Sequence, residues 1–201
     1  MNRVNMRKLI TIFLIALISL SLTSTKKLKL IDKGIYKSWY SEELKSPVKV
    51  VYSVYKFRDV DSISRKGMNF HSEPGIITAS SKDFTGNNYD KGHLAPAETF
   101  SQSDSSLFLT FSYVNCSVQH YQLNRGLWNK LEGMERKWSK DDSLIVTVRI
   151  NFDEHVKKLP TGTPIPKEFT KSIRFYYSKK VLKYKFPNAE CKGDISTYQI
   201  K

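Results

Sequence analysis

The sequence predicts an α+β fold built on a mainly antiparallel sheet. Three observations carry that prediction: β-prone runs recur along the chain, one segment of helical period stands between two of them, and the C-terminal part reads as a hairpin. The order strand, polar motif, strand, helix, strand belongs to this class. At 201 residues and 40% hydrophobic composition, the chain is long enough for one domain with a full core and too short for two comfortable ones. A single domain over residues 25–201 is expected.

The elements follow in order. Residues 47–57 alternate Val48, Val50, Tyr52 and Val54 with other residues and are rich in β-branched and aromatic types, so they read as a strand. Residues 58–88 are rich in Ser, Asp, Gly and Asn without a sustained period and read as a long surface connection with short elements. Residues 106–114 and 143–150 are apolar, β-prone runs expected as buried strands. Between them Leu127, Leu131, Met134 and Trp138 recur at i, i+4, i+7 and i+11, which predicts an amphipathic helix from Asn124 to Trp138. Residues 172–186 interleave Arg174, Lys179, Lys180, Lys183 and Lys185 with apolar residues, the pattern of a hairpin with one solvated face.

Lys and Arg number 33 against 19 acidic residues, a formal net charge of +14. That balance favours a polyanion such as nucleic acid, or an anionic membrane, over an acidic partner; solvated lysine faces alone also produce it. Arg3, Arg7 and Lys8 precede an apolar run from Leu9 to Leu22, followed by Thr23, Ser24 and Thr25. This is the anatomy of a signal peptide over residues 1–24, and it predicts a secreted or periplasmic protein. The run is shorter than the roughly 20 residues that span a bilayer, so cleavage leaving no stable membrane partner is favoured over an uncleaved anchor. Cys116 and Cys191 leave pairing open, and neither has a neighbour at zinc-ligand spacing.

Two polar clusters carry the chemistry. Tyr89-Asp90-Lys91-Gly92-His93-Leu94-Ala95-Pro96 is followed about thirty residues later by Leu123-Asn124-Arg125-Gly126-Leu127-Trp128 and Leu131-Glu132. A base, a cation able to reach a phosphate, and oxygen ligands for a hard metal are what hydrolysis of a phosphodiester requires near neutral pH. With Asn115 and Gln119, and with Glu135-Arg136 on the helix, the pattern resembles the DNA/RNA non-specific endonucleases of the ββα-metal class. Members typically carry Asp-Arg-Gly-His with Ala and Pro just after, a strand ending in Asn with Gln four residues on, then Leu-Asn-x-x-x-Trp and Leu-Glu. Tyr36 to Tyr55 resembles the family's opening strands, and Pro166 to Lys171 its later Pro-x-x-Phe-x-Lys stretch.

The resemblance implies a ββα-metal motif and a role for each residue. His93 is the general base, since a neutral imidazole takes a proton from water near neutral pH; His71, His120 and His155 lack such a context. Asn115 orients the His93 region, and Asn124 is the direct ligand to Mg²⁺, with Mn²⁺ as a substitute. Outside that motif Asn124 reads as a helix cap and Glu132 as a solvated helix residue. On a regular helix Glu132 lies about 80° around and about 12 Å along the axis from Asn124, which points to a hydrogen bond with the cation's hydration shell rather than shared ligation.

Lys91 stands where the family has Arg, so its phosphate contact is a point charge rather than a two-pronged guanidinium. Arg136, matching a basic position on the family's helix, and Arg65, near another where the local spacing does not align cleanly, supply further positive charge. Gly92 implies a turn or a close backbone approach, and Gly126, which costs a helix roughly 1 kcal/mol against Ala, implies a close neighbour. The implied activity is Mg²⁺-dependent cleavage of DNA and RNA to 5′-phosphate ends with little sequence specificity. A nucleic-acid-binding module with a degraded site and a hydrolase of smaller phosphodiesters are the rival readings.

Overall fold

The computed structural model describes residues 27–55 and 63–201. Seven strands, β1 (Lys29–Asp32), β2 (Tyr36–Ser41), β3 (Ser46–Val54), β6 (Leu144–Asn151), β7 (Glu168–Phe175), β8 (Val181–Pro187) and β9 (Gln199–Ile200), form an antiparallel sheet in the order β1-β2-β3-β6-β7-β8-β9. The period-2 pattern decides which face is which. Val50, Tyr52 and Val54 on β3, Val146, Val148 and Ile150 on β6, and Phe169, Ile173 and Phe175 on β7 are buried on the inner face. Lys171 is buried among them, with no exposure. The outer face carries Lys49, Arg149 and Lys185.

The inner face packs against a helical segment that begins earlier than expected. Residues Tyr121–Leu123 (α2) run into a π-helical turn, Asn124–Trp128, and then into α3 (Asn129–Trp138). Asn124 is therefore inside the helical segment rather than capping its start. Gly126 leaves helical geometry (φ −101°, ψ −111°), and a side chain built there meets nothing within 4 Å. Its role is to break the helix, not to admit a close neighbour. The apolar stripe survives the break: Leu127, Trp128 and Leu131 are buried against the sheet, and Trp128 meets Phe169 and Phe186 edge-on at 5.6 and 6.1 Å.

Residues 106–114 are not a strand. Asp104–Thr110 is a helix, α1, and Tyr113–Asn115 a 3₁₀ turn. Ser103 caps α1 by accepting a hydrogen bond from the Ser106 backbone N–H, and Asp104 sits favourably in the first turn. Leu107, Thr110 and Phe111 are buried while Phe108 is 51% exposed, a helical i, i+3, i+4 face that outweighs the β-propensity of the residue types. Strand 143–150 and hairpin 172–186 form with the expected pairing. The strand foreseen at 47–57 ends at Val54, with residues 56–57 outside the described part. Cys116 and Cys191 are free thiols.

The first motif is itself a strand. β4 (Tyr89–His93) pairs antiparallel with β5 (Cys116–His120) in a separate two-stranded ribbon, setting Gly92 opposite Ser117 and His93 opposite Cys116. Gly92 meets the close approach foreseen for it. A Cβ there would lie 2.6 Å from the Cβ of Gln119 and 2.3 Å from its Oε1, and Gln119 is fully buried. Gly92→Ala is therefore expected to destabilise the protein by about 1–3 kcal/mol, the usual cost of overpacking. The midpoint of chemical denaturation measures it, and an unchanged midpoint would mean that Gln119 swings aside freely.

Candidate active site

His93 ends β4 and is wedged between aromatic rings: the ring centres of Phe70 and Phe111 are each 4.7 Å away. Its Nε2 is buried and has no hydrogen-bond partner among the described residues. Burial first, and the positive charge of Arg65 second, push its pKa down to about 3. The imidazole is thus neutral across the working range, with a lone pair or N–H free for a guest. Asn115, fully buried, fixes the backbone just beyond. Its Oδ1 accepts from Ala95 N at 2.8 Å, and its Nδ2 donates to Ala95 O and Thr110 O at 2.9 and 3.0 Å.

Asn124 is oriented by the same ribbon. Its Nδ2 donates to Asp90 Oδ2 at 2.9 Å, and Arg125 grips that carboxylate with two nitrogens at 2.8 and 2.7 Å. Burial works to raise the Asp90 pKa, but the hydrogen bonds from Arg125 and Asn124 outweigh it and hold the carboxyl below its ordinary range. With the amide nitrogen committed to an ionised Asp90, the Asn124 carbonyl oxygen Oδ1 is the atom left for a ligand.

A pocket of about 280 Å³ brings Arg65, His93, Asn124, Asn129 and Glu132 onto one wall system. Asn124 and Glu132, on either side of the break at Gly126, both line this pocket. Glu132 is nearly buried, at 9% exposure, and burial raises its pKa to about 7 against the opposing charge of Lys171. Arg65 reaches the pocket rim while paired to Glu98 at 2.8 Å. Three proposed residues, Asn115, Lys91 and Arg136, stand outside this lining. Lys91 donates to Ser81 Oγ at 3.1 Å and lies about 6 Å from the ring centres of Phe70 and Phe84. Arg136 is one turn beyond Glu132, where its charge favours the Glu132 carboxylate.

Asp90, Arg125 and Asn129 belong to the site without having been singled out by role. Asn129 precedes Glu132 by three, so their shared helix face was available as a signal. The pairing of Asp90 with Asn124 spans 34 residues and left no local trace.

Among the described residues no three His, Cys, Asp or Glu side chains are grouped to hold a metal. The oxygen donors on the pocket are instead the amides of Asn124 and Asn129 and the Glu132 carboxylate, which fits a hard, hydrated cation that takes one or two protein oxygens and keeps its waters.

His93 and Glu132 oppose one another in stability. For His93, the unfolded imidazole takes a proton near 6.5 and the folded one only near 3, so the stabilisation it carries is present above pH 6.5 and is lost as pH falls toward 3. For Glu132, raised from 4.5 to about 7, stability is lost as pH rises through 7. His93→Gln is expected to lose less stability than the parent between pH 6.5 and 4, by a difference on the order of 1–3 kcal/mol. Denaturation midpoints at the two pH values measure it; parallel losses would mean that His93 protonates freely in the fold.

The sequence profile of the DNA/RNA non-specific endonuclease family matches residues 16–201. The chain is 30% identical over 96 residues to the mitochondrial nuclease EXOG of Xenopus laevis, 28% over 96 residues to that of Homo sapiens, and 30% over 80 residues to the mitochondrial endonuclease G of Bos taurus. These matches cover 46%, 46% and 38% of the chain but only 27%, 26% and 27% of the relatives. The fold is similar to that in the crystal structure of the EndoG/EndoGI complex, with a TM-score of 0.76 at 21% identity, over 86% of this chain and 80% of that one.

These relatives correct the expected location. They are mitochondrial nucleases, which overturns the secreted or periplasmic reading of the N-terminus. Its basis was Arg3, Arg7 and Lys8 ahead of the apolar run from Leu9 to Leu22, and basic residues at the N-terminus are a feature that mitochondrial targeting sequences share with export signals. Residues 1–24 lie outside the described part, and among the described residues no helix is long and apolar enough to cross a membrane. With its sequence profile matched from residue 16 to residue 201, the chain belongs to the DNA/RNA non-specific endonuclease family.

Proposed function

We propose that residues 25–201 act as one endonuclease domain that hydrolyses phosphodiester bonds of DNA and RNA with little sequence specificity. The observation that carries this reading is the convergence of His93, Asn124, Glu132 and Arg65 on one pocket. His93 takes a proton from the attacking water at its unpartnered Nε2. A phosphate anion entering the pocket favours the imidazolium and so raises the depressed His93 pKa toward the range a base needs.

Asn124 Oδ1 would hold Mg²⁺, or Mn²⁺ in its place, and Glu132 would assist as a hydrogen-bond acceptor on the same pocket. When bound, the cation supplies positive charge to the scissile phosphate and the leaving oxygen. Asn115 keeps the chain beyond His93 in register, and Arg65 offers a guanidinium to phosphate at the rim. Lys91 and Arg136 serve phosphate outside the pocket wall, Lys91 as an ammonium two residues before His93 on the same strand. Contacts of this kind fall on the backbone of the nucleic acid and carry no sequence information, which accounts for the acceptance of both polymers.

Incubation of purified residues 25–201 with supercoiled plasmid and with RNA, with Mg²⁺ or with chelator, tests the proposal. Nicked and linear plasmid and shortened RNA are expected with Mg²⁺ only. Tight binding that leaves both polymers covalently intact would instead identify a binding module, and cleavage confined to small esters a different hydrolase.

A further inference from the structure

Lys171 occupies an inner-face position of β7 between Phe169 and Ile173, where the strand pattern calls for an apolar side chain. It has no exposure, and its ammonium lies 2.9 Å from Glu135 Oε1 and 3.7 Å from Glu132 Oε1. The ring of Trp128 closes a further side at 4.1 Å. Tyr52, from β3, donates its hydroxyl to the other oxygen of Glu135 at 2.6 Å. Glu135 is thus held by two strands at once, and it fixes the ammonium that faces Glu132.

A buried ion pair is a poor source of stability, because desolvation offsets its Coulomb energy. Glu132 and Glu135 sit three residues apart on the same helix face and repel without a cation between them. We propose that Lys171 is the positioning residue for Glu132, holding its carboxylate toward the catalytic pocket from beneath, with Tyr52 and Glu135 as its frame. The inference rests on the nucleolytic reading of that pocket, in which Glu132 takes part. Lys171 touches no substrate; it acts through Glu132 alone.

A double-mutant cycle tests whether Lys171 acts through Glu132 alone. Steady-state cleavage of a duplex oligonucleotide with Mg²⁺ is measured for the parent, Lys171→Met, Glu132→Gln and the double variant, with folding checked by circular dichroism. Methionine keeps the packing against Trp128 and removes the charge. Lys171→Met is expected to lower kcat by about 10–100-fold, the usual cost of losing a residue that orients a catalytic group, with KM nearly unchanged. In the Glu132→Gln background it should cost nothing further.

Losses that multiply in the double variant would show that Lys171 acts on more than Glu132 and would overturn the inference, as would parent-level cleavage by Lys171→Met. Should Lys171→Met not fold, Lys171→Met with Glu135→Gln removes both buried charges and keeps an acceptor for Tyr52. A rate equal to that of Glu132→Gln then supports the inference, and a parent-level rate overturns it. If neither variant folds, Lys171 is a structural tie and the inference falls. Parent-level cleavage by Glu132→Gln defeats the reading of the pocket itself, whereas loss in Glu132→Gln without loss in Lys171→Met overturns only the role of Lys171.

Discussion

Replacement of His93 with alanine is expected to lower plasmid cleavage by at least about 10²-fold while leaving the fold in place, the scale of losing a positioned base. The ring packs between Phe70 and Phe111, but the ribbon's pairing does not depend on it. The pairing of His93 with Cys116 is a backbone matter, and Asn115 secures the following turn through backbone atoms of Ala95. What the substitution removes is the imidazole that lines the pocket, with its Nε2 buried and unpartnered. Cleavage rates alongside near-ultraviolet circular dichroism separate loss of chemistry from loss of structure. A folded variant that cuts at the parent rate would remove His93 from the mechanism.

Asn124→Ala is expected to have an effect of similar size, at least about 10²-fold, because it deletes the oxygen proposed to hold the cation. Asp90 keeps its two contacts from Arg125, so the local fold has a reason to persist. Asn124→Asp supplies an oxygen again but sets a second carboxylate against Asp90, now 2.9 Å from the amide, and like charges that close disfavour joint ionisation. It should recover only part of the rate. Cleavage measured across a Mg²⁺ series distinguishes weakened cation binding, which added metal offsets, from loss of the site. Equal rates for Asn124→Ala and the parent at limiting Mg²⁺ would rule out ligation by Asn124.

Where the sequence pattern and the burial pattern share a period, the fold was legible. Val48 to Val54 and Leu144 to Ile150 alternate, and their strands form. Residues 106–114 misled because a dense apolar run has no readable period of its own, and the decisive cues were a cap at Ser103 and the spacing of Leu107, Thr110 and Phe111. The break at Gly126 was equally hidden: glycine marks a backbone freedom without saying which way it is used.

At the site, His93, Asn124 and Glu132 were legible as chemistry, and Arg65 joins them on the pocket despite its poor local alignment. Lys91, singled out from its place in the motif, starts from the same strand face as His93 two residues on, but its long side chain ends at Ser81 and near two phenylalanine rings. The partners that orient the site, Asp90 for Asn124 and Lys171 for Glu132, come from residues 34 and 39 positions away. Only folding brings them together.

Chemical rescue of His93→Ala by added imidazole tests the central claim most directly, because it asks whether the missing function is a base at that place. Plasmid cleavage by His93→Ala should rise with imidazole concentration at fixed pH and Mg²⁺, while Asn124→Ala should show no response. An identical response in the two variants, or uninhibited cleavage by His93→Ala before any imidazole is added, would contradict the assignment of His93 as the base of this pocket.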